Sequence, residues 1–303
     1  KLPEDEGWKL VESTWKQLGK TQAKQQFLKA LYCSRQPYMH RGLHLGIQDD
    51  DPNVKTWAVR YARSYTFLDP AEDFPAYEKW YEQNSAKSLS DALAASLRAC
   101  SKYLASDFKK ATAAEQVIQL NRFRNNSVIR ELHTPSVTAA YTETGLVMKF
   151  VSISRDATYD RNTRKAAANA LYNLPVTDEV ARKHLLPLLS SPGHELVSSV
   201  AHLLGKVSGD DITEALVKRL QHAADQPGLD VGLWAVATAL GERGDTSVIP
   251  AMIELIEDDN SYNTVYGVGY FGLGKLTGVK YDETHNGAWW KNWWTENRDR
   301  LTG

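Results

Sequence analysis

The feature that most constrains this chain is a spacing. With Tyr172-Asn173, Leu204-Gly205, Leu240-Gly241 and Leu273-Gly274 placed in register, the pairs recur at intervals of 32, 36 and 33 residues. Five residues before the second member of each pair stand Ala168, Val200, Val236 and Gly269. Seven residues after it, in the first three units, stand Val180, Ile212 and Val248. A period of this length, shared by two apolar stripes per unit, predicts stacked helix pairs, because neither stripe can be buried within its own pair.

The unit around Leu204 shows the grammar. Leu196, Val197, Val200, Leu203 and Leu204 fall on one stripe of a 3.6-residue helix. Gly205 then reads as a helix stop with φ > 0, as do Gly241 and Gly274 in their units. Ser208-Gly209-Asp210 reads as a turn, and Ile212, Leu216 and Leu220 begin a second stripe. The next unit repeats this with Leu233, Val236 and Leu240, a turn at Gly244-Asp245, and Val248, Met252 and Ile256.

These units resemble HEAT-like repeats. The openings Asp51-Pro52-Asn53-Val54 and Asp160-Arg161-Asn162-Thr163 resemble the start of a first repeat helix. The resemblance implies an all-α fold: an α-solenoid of HEAT-like helical pairs. Its expected parts are degenerate units over 1–154, regular repeats over 155–278 and a closing segment over 279–303, in one continuous solenoid. In that closing segment a Leu276-Thr277-Gly278 turn precedes Trp289, Trp290, Trp293 and Trp294, and this tail resembles the closing segment of bacterial HEAT-repeat proteins. The four indoles are expected to cover the apolar face of the last layer. An aromatic platform for a sugar ring or a peptide is the sharper alternative.

Ahead of the repeats, Leu89–Leu104 reads as a strong amphipathic helix, with Leu89, Leu93, Leu97, Cys100 and Leu104 on one stripe. Val137–Ile153 is β-branched in places and reads as helix because it leads into the repeats. Asn125-Asn126-Ser127 reads as a turn before a helical piece at Val128–Leu132. The segment Trp80-Tyr81-Glu82-Gln83-Asn84 echoes Trp293-Trp294-Thr295-Glu296-Asn297.

Composition excludes more than it assigns. Lys+Arg and Asp+Glu number 36 and 37, so there is none of the basic excess of a dedicated nucleic-acid binder. No apolar run is long enough to span a membrane, and no signal-peptide pattern is present. The start at Lys1 fits a trimmed secreted chain or a truncated one, which leaves the compartment open between secreted or periplasmic and cytoplasmic. Cys33 and Cys100 stand in apolar helical contexts and read as two buried thiols, with a single disulfide as the alternative. No hydrolase or nucleotide signature occurs, and no cofactor or catalytic residue is expected. His184, His194, His202 and His222 share no face at metal spacing, and Asp282 with His285 lacks a third ligand, so no metal is expected.

The resemblance further implies that second helices line the concave side of the solenoid. Their polar members Arg182, Lys183, Lys218, Arg219 and Glu254, with Tyr266 and Tyr270 of the last first helix, are the candidate binding residues. Gly267, Gly269, Gly272 and Gly274 thin that last first helix, which implies a close neighbour, either the Trp-rich helix or a ligand backbone. The function expected is a non-catalytic protein- or peptide-binding or scaffolding module. The alternative is an enzyme on a HEAT-like fold, such as an alkylpurine-type DNA glycosylase or a bilin-lyase-like protein.

Overall fold

A computed structural model describes residues 4–34, 38–124, 128, 134–191, 193–224, 230–258 and 262–302. Among the described residues there is helix and no strand. The chain divides into two compact units, residues 1–149 and 150–303.

The first unit begins with α1 (Glu4–Gln17), α2 (Thr21–Ser34), α3 (Met39–Ile47), α4 (Pro52–Thr66) and α5 (Phe74–Asn84). It continues with α6 (Leu89–Ser106), α7 (Ala113–Arg124), α8 (Pro135–Thr144) and the first residues of α9 (Leu146–Arg155), within which the division falls. Asp51 caps α4 as its sequence suggests, its carboxylate accepting the Asn53 N–H at 2.9 Å. Helix α6 buries Leu89, Leu93, Leu97, Cys100 and Leu104, the expected stripe, and packs against α4, α5 and α8. The segment 137–153 is helical but broken at Gly145, whose φ of 57° closes α8 before α9 starts. The expected turn at 125–127 and most of the helical piece at 128–132 lie outside the described residues. Of the two free thiols, only Cys100 is buried. Cys33 is exposed, against the expectation, because the last turn of α2 turns that position outward while Leu31 and Tyr32 take the core.

The second unit is built of two rows. The first row is α10 (Arg161–Ala170), α12 (His194–Leu204), α14 (Asp230–Arg243) and α16 (262–277). The second row is α11 (178–190), α13 (Asp210–Ala224), α15 (Ile249–Asp258) and α17 (Gly287–Thr302). Each first-row helix packs on the next, and α13, α15 and α17 stack in the same way. Ala168, Val200, Val236 and Gly269 are all buried between layers, as are Ile212 and Val248. This is the all-α helical-repeat architecture that the period predicts. Asp160 caps α10 through the Asn162 N–H at 2.7 Å, the counterpart of the Asp51 cap.

The recurring glycines do a different job from the one expected. Gly205 and Gly274 have φ of −56° and −59°, and Gly241 lies inside α14, which runs on to Arg243. The positive φ angles fall a few residues later, at Gly209, Gly244 and Gly278. At Gly205 and Gly241 the Leu-Gly position marks instead where one layer touches the next, whereas Gly274 packs against the Gly269 carbonyl of its own helix and the Val279 carbonyl. A Cβ on Gly205 would meet the Ala239 Cα at 3.1 Å, and one on Gly241 would meet the Phe271 carbonyl oxygen at 2.7 Å. Close approach of two backbones requires a missing side chain as firmly as a left-handed turn does.

Helix α17 takes the second-row place in the last pair, reached by a loop over 278–286 in place of a helix near Tyr281. A Cβ on Gly287 would stand 2.7 Å from the Glu257 Cα, so α17 starts hard against α15. Lys291 pairs with Glu257 at 3.1 Å. Trp290 is 1% exposed and lies over Gly269, whereas Trp289, Trp293 and Trp294 are half-buried. The Trp-containing echo also has a geometric basis. Asn84 donates from Nδ2 to the Trp80 carbonyl at 2.6 Å, and Asn297 to the Trp293 carbonyl at 2.8 Å. The Asn84 amide closes the last turn of α5, whereas that of Asn297 makes the same bond within α17, five residues before its end.

Candidate functional site

The first row of the second unit carries an aromatic surface. Along α16 the backbone is π-helical over Val265–Leu273, with the Gly274 N–H reaching back to the Gly269 carbonyl. Segments of this kind are rare and concentrate at functional sites. Tyr262, Tyr266 and Tyr270 repeat every four residues and therefore share a face. Their rings stack at 5.6 and 5.3 Å with interplanar angles of 6° and 12°. Trp234 of α14 reaches across the layer boundary into the gap left by Gly267, where a Cβ would stand 2.2 Å from its ring. It meets Tyr266 edge-on at 5.5 Å and stacks on Phe271 at 5.7 Å. Tyr281, from the loop after α16, stands edge-on to Tyr266 at 5.0 Å and to Tyr270 at 5.9 Å. Tyr262 is 68% exposed and Tyr270 46%; Trp234, Tyr266 and Tyr281 are half-buried. Farther along the same row, Tyr172 lies flat on His202 at 3.5 Å and is itself exposed. Burial first, then the charge of Lys206, pushes the His202 imidazole down to about 4.

The layers beneath this surface are held by polar links. Arg243 donates from Nη2 to the Gly209 carbonyl at 2.7 Å, from Nη1 to the Leu204 carbonyl at 3.3 Å and to that of Val207, and from Nε to Thr213 Oγ1 at 3.0 Å. Arg182 holds the same 208–209 turn from the other side. It donates to the Ser208 carbonyl at 2.6 Å and to the Asp211 carboxylate at 2.9 Å, with Asp178 at 3.2 Å. Lys275 pairs with Glu242 at 3.0 Å across the α14–α16 boundary.

The sequence-derived candidates therefore fare differently. Arg182 is committed to Asp178, Asp211 and Ser208, and Arg219 is buried, its burial lowering the guanidinium from its ordinary range. Lys183, Lys218 and Glu254 are exposed on the second row. Tyr266 and Tyr270 come together with Tyr262, Trp234 and Tyr281, which the sequence reading did not select. The four-residue tyrosine spacing signals the first of these; nothing local signals Trp234, whose role depends on a glycine in the next layer. Asp282 accepts from Thr284 at 2.9 and 2.7 Å, and His285 stacks on Trp289 at 3.5 Å. Among the described residues no group of three or more His, Cys, Asp or Glu is arranged to hold a metal ion, and no helix is long and apolar enough to cross a membrane.

The first unit has a cavity of its own, about 330 Å³, walled by Phe67, Trp80, Cys100 and Tyr103 with Asp69, Gln119 and Arg122 among its polar residues. Phe67 has a left-handed φ of 60°. Arg122 donates to its carbonyl at 2.7 Å and to Gln119 Oε1 at 3.1 Å. Asp69 pairs with Arg63, outside the cavity wall, at 2.5 Å and faces Arg122 at 3.9 Å. Beside α5, His44 stacks on Tyr81 at 3.6 Å, and burial takes its imidazole down to about 4.

Two rows of helices, stacked pair on pair, give the second unit a helical-repeat architecture of the HEAT-like kind. Residues 233–258, which span most of α14 and all of α15, match the family model described as PBS lyase HEAT-like repeat. No curated protein and no solved structure matches the chain.

Proposed function

We propose that this chain is a non-catalytic binding or scaffolding module that holds a protein or peptide partner on the aromatic surface of its first helix row. The observation that supports this is the exposure of Tyr262 and Tyr270, stacked in line with the half-buried Tyr266 and braced by Trp234. Folding gains nothing from leaving such rings in water, and a contiguous exposed aromatic patch on a rigid repeat surface is the usual mark of a contact site. Helical repeats offer long, rigid surfaces and no built-in reaction centre. The second-row set is the weaker surface, because Arg182 is engaged by Asp178, Asp211 and Ser208 and Arg219 is buried; Lys183, Lys218 and Glu254 then form its exposed margin.

A photo-crosslinking residue at position 270, compared with one at position 218, tests the choice of face. Capture of a partner from position 270, lost when Tyr262→Ala is added, is the expected result; capture from position 218 alone would reverse the assignment.

The description of the matching family model favours a second reading, a bilin-lyase-like protein. Addition of an open-chain tetrapyrrole should then produce a saturable absorbance shift, which the binding-module reading does not expect.

A further inference from the structure

We infer that the aromatic corner formed by Tyr262, Tyr266, Tyr270 and Tyr281 receives a cation, so that the partner segment seated there is basic and enters by an arginine or lysine side chain. The inference rests on the partner-binding reading above and adds the partner's chemistry. Its geometry is a right angle between aromatic planes. Tyr281 stands at 86° to Tyr266 and 83° to Tyr270, while Tyr262, Tyr266 and Tyr270 lie nearly parallel to one another. Those edge-to-face contacts fix the cluster, and its exposed members, Tyr262 and Tyr270, offer the aromatic surface that a cation can approach, each ring face attracting it through its quadrupole.

The rim supplies the matching charge. Asp282 and Glu283 follow Tyr281 directly and both are exposed. Burial first, then the neighbouring Tyr262, Glu283, Tyr266 and Asp282, raises the Tyr281 phenol above its ordinary range. Asp282 commits one oxygen to Thr284, which leaves Glu283 as the rim group most available to a guest. Of the neighbouring cations, Lys275 is paired with Glu242, and the exposed Lys280 is outnumbered by the two carboxylates. A neutral or acidic segment would find two carboxylates unmatched beside it; a basic one gains both the ring faces and the rim.

The test uses the full chain with 3-fluorotyrosine incorporated, its resonances at 262, 266, 270 and 281 assigned by single Tyr→Phe variants. The probes are three capped pentapeptides, Gly-Arg-Gly-Arg-Gly, Gly-Glu-Gly-Glu-Gly and Gly-Leu-Gly-Leu-Gly. The arginine peptide should shift the 266 and 281 resonances saturably, with weaker binding at higher salt, and the glutamate peptide should not. Tyr281→Leu should weaken arginine-peptide binding about two- to fivefold, the worth of one exposed cation–π contact. Glu283→Gln, in an exposed loop, should weaken it to a similar degree and reduce its salt dependence. Equal shifts with the leucine peptide, unaffected by Glu283→Gln, would overturn the cation assignment and leave the binding surface standing. No shift with any of the three would count against the surface itself.

Discussion

Helix α14 contains one chemical change in two opposite settings. Gly232→Ala and Gly241→Ala each add a methyl group to a helix, and each gains up to about 1 kcal/mol of helix propensity. At Gly232 the nearest atoms to the new Cβ are Arg219 Nη2 at 3.9 Å and Val197 Cγ1 at 4.0 Å, ordinary contact distances. At Gly241 it would meet the Phe271 carbonyl oxygen at 2.7 Å, the Gly272 carbonyl oxygen at 3.1 Å and Lys275 Cβ at 3.1 Å. The obstruction there is the backbone of α16, which has no rotamer to change. Relief requires the two helices to part by about half an ångström or more, enough to forfeit a quarter or more of the dispersion energy across the seam. Overpacking of this kind costs about 1–3 kcal/mol. Set against the propensity gain, Gly241→Ala should destabilise the second unit by about 1–2 kcal/mol, a fall of about 3–8 °C in Tm for a unit of this size. Gly232→Ala should raise Tm by about 1–3 °C. Thermal and urea unfolding followed by far-UV circular dichroism reads both. If Gly241→Ala stabilises as much as Gly232→Ala, the layers do not touch backbone to backbone, and the Leu-Gly period does not mark their seam.

Removing the Arg243 side chain in Arg243→Met takes a donor from the Leu204, Val207 and Gly209 carbonyls, of which those of Leu204 and Gly209 still accept the Val207 and Thr213 N–H groups, and should cost about 1–3 kcal/mol in urea unfolding; Arg243→Lys should recover little, because one ammonium cannot replace a fork that spans several acceptors. His44 and His202 both have folded pKa values of about 4 against an ordinary 6.5. The unfolded chain therefore takes up protons first, so their contribution is complete above pH 6.5 and is lost as pH falls towards 4, by about 1–3 kcal/mol at each site. Urea midpoints measured from pH 7.5 to 4 should show this slope, and His202→Phe, which keeps a ring against Tyr172, should flatten part of it. Thiol titration of the native chain should find one fast-reacting cysteine, the exposed Cys33. Cys100, buried and pushed up to about 12, should react only on unfolding.

The order of helices was legible because burial imposes a period that survives divergence of individual residues. Ala168, Val200, Val236 and Gly269 differ in size, yet each sits between layers, and the register alone locates them. Local backbone form was less legible. Helix α11 passes from α-helical to π-helical at Ala181–Leu185 and to a 3₁₀ turn at Leu186–Ser190, where Pro187 brings no N–H and crowds the preceding turn. The glycines misled for a related reason. A glycine after an apolar stripe satisfies two different demands, a left-handed turn or a close backbone, and only the neighbouring layer decides which one applies.

That dependence on the next layer also explains which parts of the candidate surface the sequence could reveal. Tyr262, Tyr266 and Tyr270 lie on one helix, so their common face follows from spacing alone. Whether a cation is available to a partner does not follow from spacing. Arg182 looks free within its own helix, but its strongest partners, Asp211 and the Ser208 carbonyl, lie 29 and 26 residues away in the next pair. Arg219 points into the core, and Lys218 beside it does not. A repeat array converts polar residues into seams wherever adjacent layers present complementary groups, and leaves as surface only what finds no counterpart one period on. By that criterion the tyrosines of α16, exposed on a face where Trp234 of the layer before only braces them, belong to the surface and not to a seam. Exchanging Tyr262 and Tyr270 together for serine should therefore leave the Tm of the second unit within about 4 °C of the parent, since surface substitutions of this kind shift stability by only about 0.5 kcal/mol each. A fall of about 8 °C or more would show that these rings carry structure, and would remove the ground for assigning them to a partner.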